Sequence, residues 1–541
     1  MRWFWIGSFL LLLVLPLMLP FGSLFQVQID SLTSEAPRFL ELAKNTLFLI
    51  VLTLALSVPF GLLLAILFFR CELPGRGILR LLLLSGLFIP LPVLVSAWQM
   101  AFGPTGWLME LNSPTGGVWK PWTEGLLPAA MIHALAALPW VTWFLGLALQ
   151  RTDLELEEDA LTHTAHWQVV MRVSFRQIRP ALGMILLWIT LQTASEITVT
   201  DVMLVRTFAE EVYNQFVLDR DGLPVVVLLA LPQTILLGSV TLLAFRSWRK
   251  SILIQNASLI PRRDLRFSPI QRHVMTGLAL LLMLIYLGIP LFSLLWRAGG
   301  NFLSLPQIGK SLQLVFDSQK GVIWESLFWS MFAGILTTLL AFQACRIALI
   351  SSRGRSALLL LTILIWATPA PLLGFGLKEA INLLLDLEEM LLGWQSILPL
   401  RFSLYDQPSP LPVLWCHVLK CFPFAVAILF PAMLQIPQEL REQARIDGAS
   451  GWREFRLLHW PQLRGFFLLS TFVVMLLALS EISASKLVEV PGRVTFAQEL
   501  FRQMHYGTGS TVAAFCLLQF VFTGLSGILI FAVFRANRSR N

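Results

Sequence analysis

Twelve stretches of this 541-residue chain are each long and apolar enough to cross a lipid bilayer, a pattern few folds can accommodate. A spanning helix needs about 20 apolar residues. The stretches lie near 3–25, 45–69, 78–102, 126–149, 181–203, 223–245, 274–296, 325–345, 356–377, 411–434, 466–488 and 511–534. They are continuous rather than alternating, which excludes a membrane β-barrel. The first run could be read as a signal peptide. It is long, is interrupted by Pro16 and Pro20, and lacks a small-x-small cleavage site, so it reads as a retained span. Only 13% of the residues are charged and 56% are hydrophobic, against about 25% charged in soluble domains. The expected class is an all-α membrane protein with twelve transmembrane helices.

The chain also repeats itself. Pro90-x-Pro92 recurs as Pro369-x-Pro371. His133 with Pro139 recurs as His417 with Pro423. Ser195-Glu196-Ile197 recurs as Ser480-Glu481-Ile482, and Thr207-Phe208-Ala209 as Thr495-Phe496-Ala497. All four recur in the same order at a separation of roughly 280 residues, the mark of a duplication. The expected organisation is two homologous six-span halves, 1–245 and 273–541, joined by a basic, Pro-containing linker at 246–272. Six spans per half return the chain to its starting side, so the axis relating the halves runs along the membrane normal. With both termini cytoplasmic, Lys and Arg favour the inside segments by about two to one. The net charge of +8 is thereby accounted for by loops beside a bilayer and calls for no nucleic acid.

Two charged islands interrupt the apolar runs at equivalent places. At 437–465, Leu440, Ala444 and Ile446 alternate with Arg441, Glu442, Arg445 and Asp447, the pattern of a short amphipathic helix. Gly448 and Gly451 then stop or bend it, and a second helical piece runs from Trp452 to Pro461. Two short helices joined at glycine outside a membrane can dock into another protein. The first-half island, 151–180, holds Glu158-Asp159-Ala160 and then Thr164.

The stretch at 437–465 resembles the EAA loop of bacterial ABC-transporter membrane subunits. Glu442, Ala444, Gly448 and Pro461 stand at that family's spacing, with Gln443, Leu458 and Trp460 as departures. The island at 151–180 is a degenerate copy, with Glu158, Ala160 and Thr164 at the first three anchors. Counted straight on, Gln177 stands where the family has Pro; aligning Trp167 with Trp452 instead puts Arg176 there. The whole chain resembles the fused, twelve-span permeases of the iron(III), thiamine and phosphonate type. That resemblance implies a permease of an ATP-driven importer in a bacterial inner membrane. Two cytoplasmic ATPase copies dock on the loops, and a periplasmic solute-binding protein delivers a small solute. Iron(III) is the first expectation, thiamine or an aminophosphonate the next. The chain itself is expected to be no enzyme and to hold no cofactor or metal. It contains no G-x-x-x-x-G-K-[ST], so phosphate chemistry belongs to a partner. The loop bearing Gly448 is expected to carry more of the coupling than its degenerate copy.

Further polar residues stand inside or beside the apolar runs. Glu196 and Glu481, each preceded by a serine (Ser195, Ser480), fall toward the outer ends of spans five and eleven. A carboxylate there must face water, protein or a cation. They either line the pathway or anchor a helix end. His133 and His417 stand before prolines in spans four and ten, as pathway or metal-ligating groups or as partners of carbonyls freed by the kinks. Lys420 either snorkels outward or answers Glu481. The external segments 206–222 and 486–510 carry charges suited to an outer partner. The five cysteines lack C-x-x-C spacing, which argues against a disulfide framework or metal site. Twelve spans in two parallel halves would also suit an ion-gradient-driven secondary transporter, where paired loops after spans four and ten have no required role. A non-transporting membrane scaffold is a third class, and it would take up no solute.

Overall fold

A computed structural model describes residues 2–22, 36–108, 122–218, 223–252, 268–393, 399–449, 451–507 and 509–538. The described residues are helical throughout apart from short connections. In chain order the main helices are α1 (Gly7–Gly22), α2 (Ala36–Arg70), α3 (Arg76–Gly86), α4 (Leu91–Phe102), α5 (Leu126–Leu149), α6 (Leu154–His163), α7 (Arg179–Ser195), α8 (Thr198–Val202), α9 (Phe208–Leu218) and α10 (Leu223–Ile252). There follow α11 (Pro269–Ala298), α12 (Leu305–Ile350), α13 (Ser352–Ala367), α14 (Ala370–Leu392), α15 (Leu411–Leu434), α16 (Gln438–Ile446), α17 (Trp452–Leu479), α18 (Phe496–His505) and α19 (Ser510–Arg538).

Among the described residues seven helices are long and apolar enough to cross a membrane, or nine if each of two bent pairs counts as one span. Twelve straight crossings are therefore not what the structure shows, and the departures have local causes. The runs at 78–102 and 356–377 break into α3/α4 and α13/α14, bent by 103° and 111°. Pro90 and Pro369 sit at the bends in extended conformation (ψ 145° and 141°). A proline there removes a helical N–H and disfavours α geometry in the residue before it. The runs at 181–203 and 466–488 stop at Ser195 and Leu479. At the first stop Glu196 takes an extended backbone (φ −93°, ψ 138°), so it ends a helix rather than riding along one. The first run is helical from Arg2 to Gly22, with α1 as its apolar part. Val227–Leu243 is the apolar part of α10, a helix that runs from Leu223 to Ile252. The linker contracts from both ends, because α10 continues to Ile252 and α11 starts at Pro269 behind a Ser268 capping box. Its middle, 253–267, with Pro261, lies outside the described residues, as do Asp219, Arg220 and Asp221 of the first external segment.

The same order of elements occurs twice, with the same small contacts. Thr207 accepts from the Glu210 N–H at the start of α9, and Thr495 accepts from the Gln498 N–H at the start of α18. The Phe208 N–H donates to Thr46 on α2, and the Phe496 N–H to Ser326 on α12. Gln233 and Gln519, on the last helix of each series, donate to the carbonyls of Ala194 and Leu479 where the preceding helices break.

The two series share their cores. α1 lies along α14, where Leu12, Leu15 and Leu19 pack with Leu377, Ala380 and Ile381, and the Trp415 indole donates to the Leu12 carbonyl at 2.8 Å. α11 lies along α2 and α3, placing Tyr286 among Leu64, Phe68 and Leu83; its hydroxyl donates to the Gly86 carbonyl at 2.7 Å. Each series thus has its first helix seated on the other.

Candidate functional site

Two elbows join long helices at one end of the bundle, one after α5 and one after α15. Each is a short helix, a break, and a second helix that returns to the bundle. Each second helix contains a π-turn, at Val170–Ser174 and at Phe455–His459. These turns stand at matching places in the repeat, and isolated π-turns often mark functional segments.

In the second elbow α16 ends at Ile446. Gly448 (φ +67°) and Gly451 (φ +57°) then take left-handed backbone, which only glycine adopts without strain. Ala444 is half-buried against the cluster around Phe342, Met433 and Leu458. Glu442, Gly448 and Pro461 are exposed. Ile446 and Trp452 are 85% and 74% exposed, and Trp452 stacks on Phe455 at 5.2 Å. Arg346, near the end of α12, reaches Glu454 at 3.3 Å, and Arg441 donates to the Met433 carbonyl.

The first elbow is held differently. Asp153 caps α6 by accepting from the Glu155 and Leu156 N–H groups. Thr164 ends it in extended backbone (φ −141°) with its hydroxyl on the Ala160 carbonyl. Glu158 and Thr164 are exposed and Ala160 is half-buried. The carboxylate that anchors this elbow is Glu157, the neighbour of the Glu158 that the EAA-loop spacing marks. Arg70 donates to both its oxygens at 3.0 and 2.7 Å, Ser174 donates at 2.7 Å, and Thr152 also donates. Burial alone would raise the Glu157 pKa, but the hydrogen bonds and charge of Arg70 with those of Thr152 and Ser174 outweigh it and hold the carboxyl below its ordinary value. Gln177 accepts from the Asp153 N–H at 2.6 Å, tying the two ends of the elbow together. Trp167, like Trp452, is exposed.

Between the two series lies a cavity of about 190 Å³, whose walls include His133, Ser195, Glu196, Lys420, Ser480 and Glu481. Glu196 accepts from the Thr198 and Val199 N–H groups at 2.6 and 2.9 Å, and Glu481 accepts from those of Ala484 and Ser485, both at 2.9 Å. The two carboxylates are therefore helix-end anchors and cavity walls at once. Lys420 answers Glu481 at 2.6 Å. The first series has Ala136 in its place, and Glu196 has the His133 ring at 3.9 Å and feels the charge of Lys420 from the other series. His417 is not brought to this cavity. It borders a smaller one of about 30 Å³ beside Glu325, Trp329 and Arg493. His133 Nε2 and both His417 ring nitrogens have no hydrogen-bond partner among the described residues. No group of three or more His, Cys, Asp or Glu residues among the described residues could hold a metal ion.

At the opposite end from the elbows, Asp201 of the first series meets His505 of the second at 3.0 Å. Hydrogen bonding to Asp201 raises the His505 pKa above its ordinary value despite partial burial. Nearby Glu210 is pushed up to about 7 by burial and by Glu211 and Asp201.

Comparison with known proteins bears on the second half of the chain. Residues 341–539 match the family described as "Binding-protein-dependent transport system inner membrane component". Sulfate permease 2, chloroplastic, of Chlamydomonas reinhardtii is 36% identical over 145 residues, which cover 26% of this chain and 38% of that protein. The diacetylchitobiose uptake system permease protein DasB of Streptomyces coelicolor is 27% identical over 237 residues, covering 38% of this chain and 68% of that protein. The osmoprotective compounds uptake permease protein GgtC of a Synechocystis strain is 32% identical over 105 residues, covering 18% of this chain and 37% of that protein. The chain thus spans well under half the length of two of these three relatives and about two thirds of the other. α13 to α19, with the elbow bearing Gly448, fall inside the matched segment, so this part of the helical membrane protein is similar to the permease components of binding-protein-dependent transport systems.

Proposed function

We propose that the chain is the membrane-spanning permease of an ATP-driven importer, built as two fused halves around one pathway. It takes a small solute from a periplasmic binding protein and is driven by two cytoplasmic ATPase copies seated on the elbows. It resides in a bacterial inner membrane with both termini on the ATPase side. The observation that carries the reading is the second elbow. Ile446 and Trp452 are large apolar side chains left in the open on either side of two left-handed glycines, on a turn of the chain that packs on its own helices through Ala444 and Phe455. Such an exposed apolar knob on a polar helix suits a cleft in a soluble partner.

ATP binding that closes the ATPase dimer would draw the elbows together, and the helices continuous with them would carry the motion to the cavity. Coupling of this kind biases a two-state equilibrium from one end. ATP hydrolysis itself is assigned to the partner. As to the solute, iron(III) rests on the family resemblance of the sequence alone. The matched relatives are named for sulfate, diacetylchitobiose and osmoprotective compounds. The reading therefore stays at a small solute chosen by the external binding protein.

The test is co-purification of the full-length chain with its ATPase, followed by solute uptake in vesicles. Ile446→Asp should abolish ATPase retention while the chain itself remains in the membrane. Undiminished retention, or uptake that follows an ion gradient with no need for ATP, would overturn the reading.

A further inference from the structure

The cavity has an aromatic floor that neither the family match nor the elbows explain. Trp188 on α7 lies with its ring centroid 5.5 Å from Trp140 on α5, 5.9 Å from Trp366 on α13 and 5.0 Å from Phe424 on α15. Trp366 and Phe424 are themselves 6.0 Å apart. Two rings come from each series, so the cluster bridges the seam along which a pathway would run. Its contacts are mostly edge-to-face, a favoured arrangement for aromatic pairs. All four rings are half-buried rather than sealed in a core.

Helix geometry gives the level of this layer. At 1.5 Å per residue, Trp188 lies about 12 Å nearer the elbows than Glu196, Trp140 about 10 Å nearer than His133, and Phe424 about 6 Å nearer than Lys420. The cavity therefore has polar side chains at one level and indole and phenyl rings at the next, on the elbow side. Trp140, Trp188 and Phe424 are all part of its wall. A polar solute leaving toward the elbows must pass between rings that offer it no polar surface except indole N–H groups.

Three of the four rings stand on helices the elbows would move. α5 and α15 run directly into the two elbows, and α7 emerges from the first. The repeat shows that the layer is uneven. Trp140 and Phe424 occupy matching positions, but the counterparts of Trp188 and Trp366 are Val473 and Leu87. Those two lie with Trp140 around the cluster of Phe88, Met475 and Leu476.

We propose that Trp188 is the hub of a four-ring gate, with Trp140, Trp366 and Phe424, that closes the pathway on the elbow side of the cavity and opens when α5, α7 and α15 separate. The proposal rests on the permease reading for its purpose, but its test does not depend on ATPase, binding protein or solute. In the full-length chain, with the five native cysteines replaced by serine, Ser483→Cys puts a thiol in the cavity wall. A membrane-impermeant maleimide is added from the elbow side of sealed vesicles without nucleotide. Trp188→Ala should raise the labelling rate at least tenfold, and Trp188→Phe, which keeps a ring, should not. Trp366→Ala attacks the same layer from the other series and should act in the same direction should the first variant fold poorly. A rate that is already fast with all four rings present, or that neither alanine variant changes, would overturn the gate. ATP-dependent uptake by the unaltered complex, measured alongside, decides the permease reading separately.

Discussion

Arg70, the last residue of α2, and Glu157, in the first helix of the elbow after α5, form a bidentate pair with side chains only 6% and 4% exposed. α12, the counterpart of α2, holds the second elbow through Arg346 and Glu454, which are 31% and 26% exposed and 3.3 Å apart. The same kind of helix thus secures both elbows, the first by a buried pair and the second by a partly solvated one. Removing one partner of a buried pair leaves an uncompensated charge and costs about 3–5 kcal/mol, whereas a solvated pair contributes roughly 0–1 kcal/mol. Arg70→Ala should lower the melting temperature of the purified chain far more than Arg346→Ala does, and equal losses would refute the contrast. The Glu157 carboxyl is held below its ordinary value, so its stabilisation is present above the unfolded pKa near 4.5 and fades as pH falls through the lowered one. Glu157→Gln should flatten that acid limb.

The break in the second elbow depends on a backbone conformation that the first elbow does not use. Gly448 has φ +67°, and Thr164 has φ −141°. A β-branched residue forced into left-handed backbone costs roughly 1–3 kcal/mol, while an extended residue tolerates the change. Gly448→Val should therefore impair solute-stimulated ATP hydrolysis by the assembled complex more than Thr164→Val does. No Cβ clash stands near Gly448, so the effect reports the turn itself. A Thr164→Val loss as large as the Gly448→Val loss would defeat the asymmetry.

Much of this architecture was legible in the sequence because hydrophobic runs and repeated short motifs are local signals. Ser-Glu-Ile at 195–197 and 480–482 marked equivalent places, and both glutamates indeed stand at one cavity. The sequence left open whether these glutamates line the pathway or anchor a helix end, and the structure shows both, because their partners are backbone N–H groups two to four residues on. Hydropathy did not distinguish a straight span from one folded sharply at Pro90 or Pro369, since composition is the same on both sides of the bend. Glu157 escapes the sequence because the EAA-loop spacing falls on Glu158 instead. Only the reach of Arg70 from another helix singles out the buried carboxylate. Trp188, Trp366 and Phe424 each look like ordinary span residues, and their meeting is purely tertiary.

Lys420 and Glu481 offer a sharper test of the cavity wall. The ammonium lies 2.6 Å from a carboxylate that is 2% exposed and has two backbone donors besides. Lys420→Met should destabilise by several kcal/mol, on the order of 3–5, and Glu481→Gln added to it should recover most of the loss, because the amide removes the stranded charge. Non-additivity of this size is the mark of a direct pair. Additive losses in the double variant would mean that Lys420 and Glu481 act independently.

His505 and Asp201 join the two series at the end away from the elbows. The His505 pKa is raised, so the pair contributes fully below the unfolded value of 6.5 and fades as pH rises through the folded one. Lys486 opposes the histidine charge, and the pair is half-exposed, so its worth is about 0.5 kcal/mol. Glu210, pushed up to about 7, also loses stability as pH rises, but from its unfolded value near 4.5 up to about 7. The informative quantity is therefore the difference between the unaltered chain and His505→Ala. Their melting temperatures should converge as pH rises above 6.5 and differ least at high salt. A gap that widens with pH would contradict the pairing.

The crossed seating of the two first helices depends on glycines that let other backbones approach. A Cβ at Gly376 on α14 would fall onto the carbonyl oxygen of Pro16 in α1, and a Cβ at Gly86 on α3 would meet the Tyr286 hydroxyl of α11. The two obstacles differ in kind. The Pro16 carbonyl is backbone within a helix and cannot retreat alone, whereas Tyr286 can turn at the loss of its hydrogen bond to Gly86. Gly376→Ala should therefore push α1 off α14, expose the Trp415 indole that donates to Leu12, and cost more than the roughly 1–3 kcal/mol usual for an overpacked core. Gly86→Ala should cost about that amount and be partly relieved by Tyr286→Phe, which removes the clashing oxygen. Protease sensitivity of residues 1–22 together with the melting temperature reads both effects. A Gly376→Ala chain as resistant and as stable as the unaltered one would show that α1 does not need this contact to hold its place on the other half.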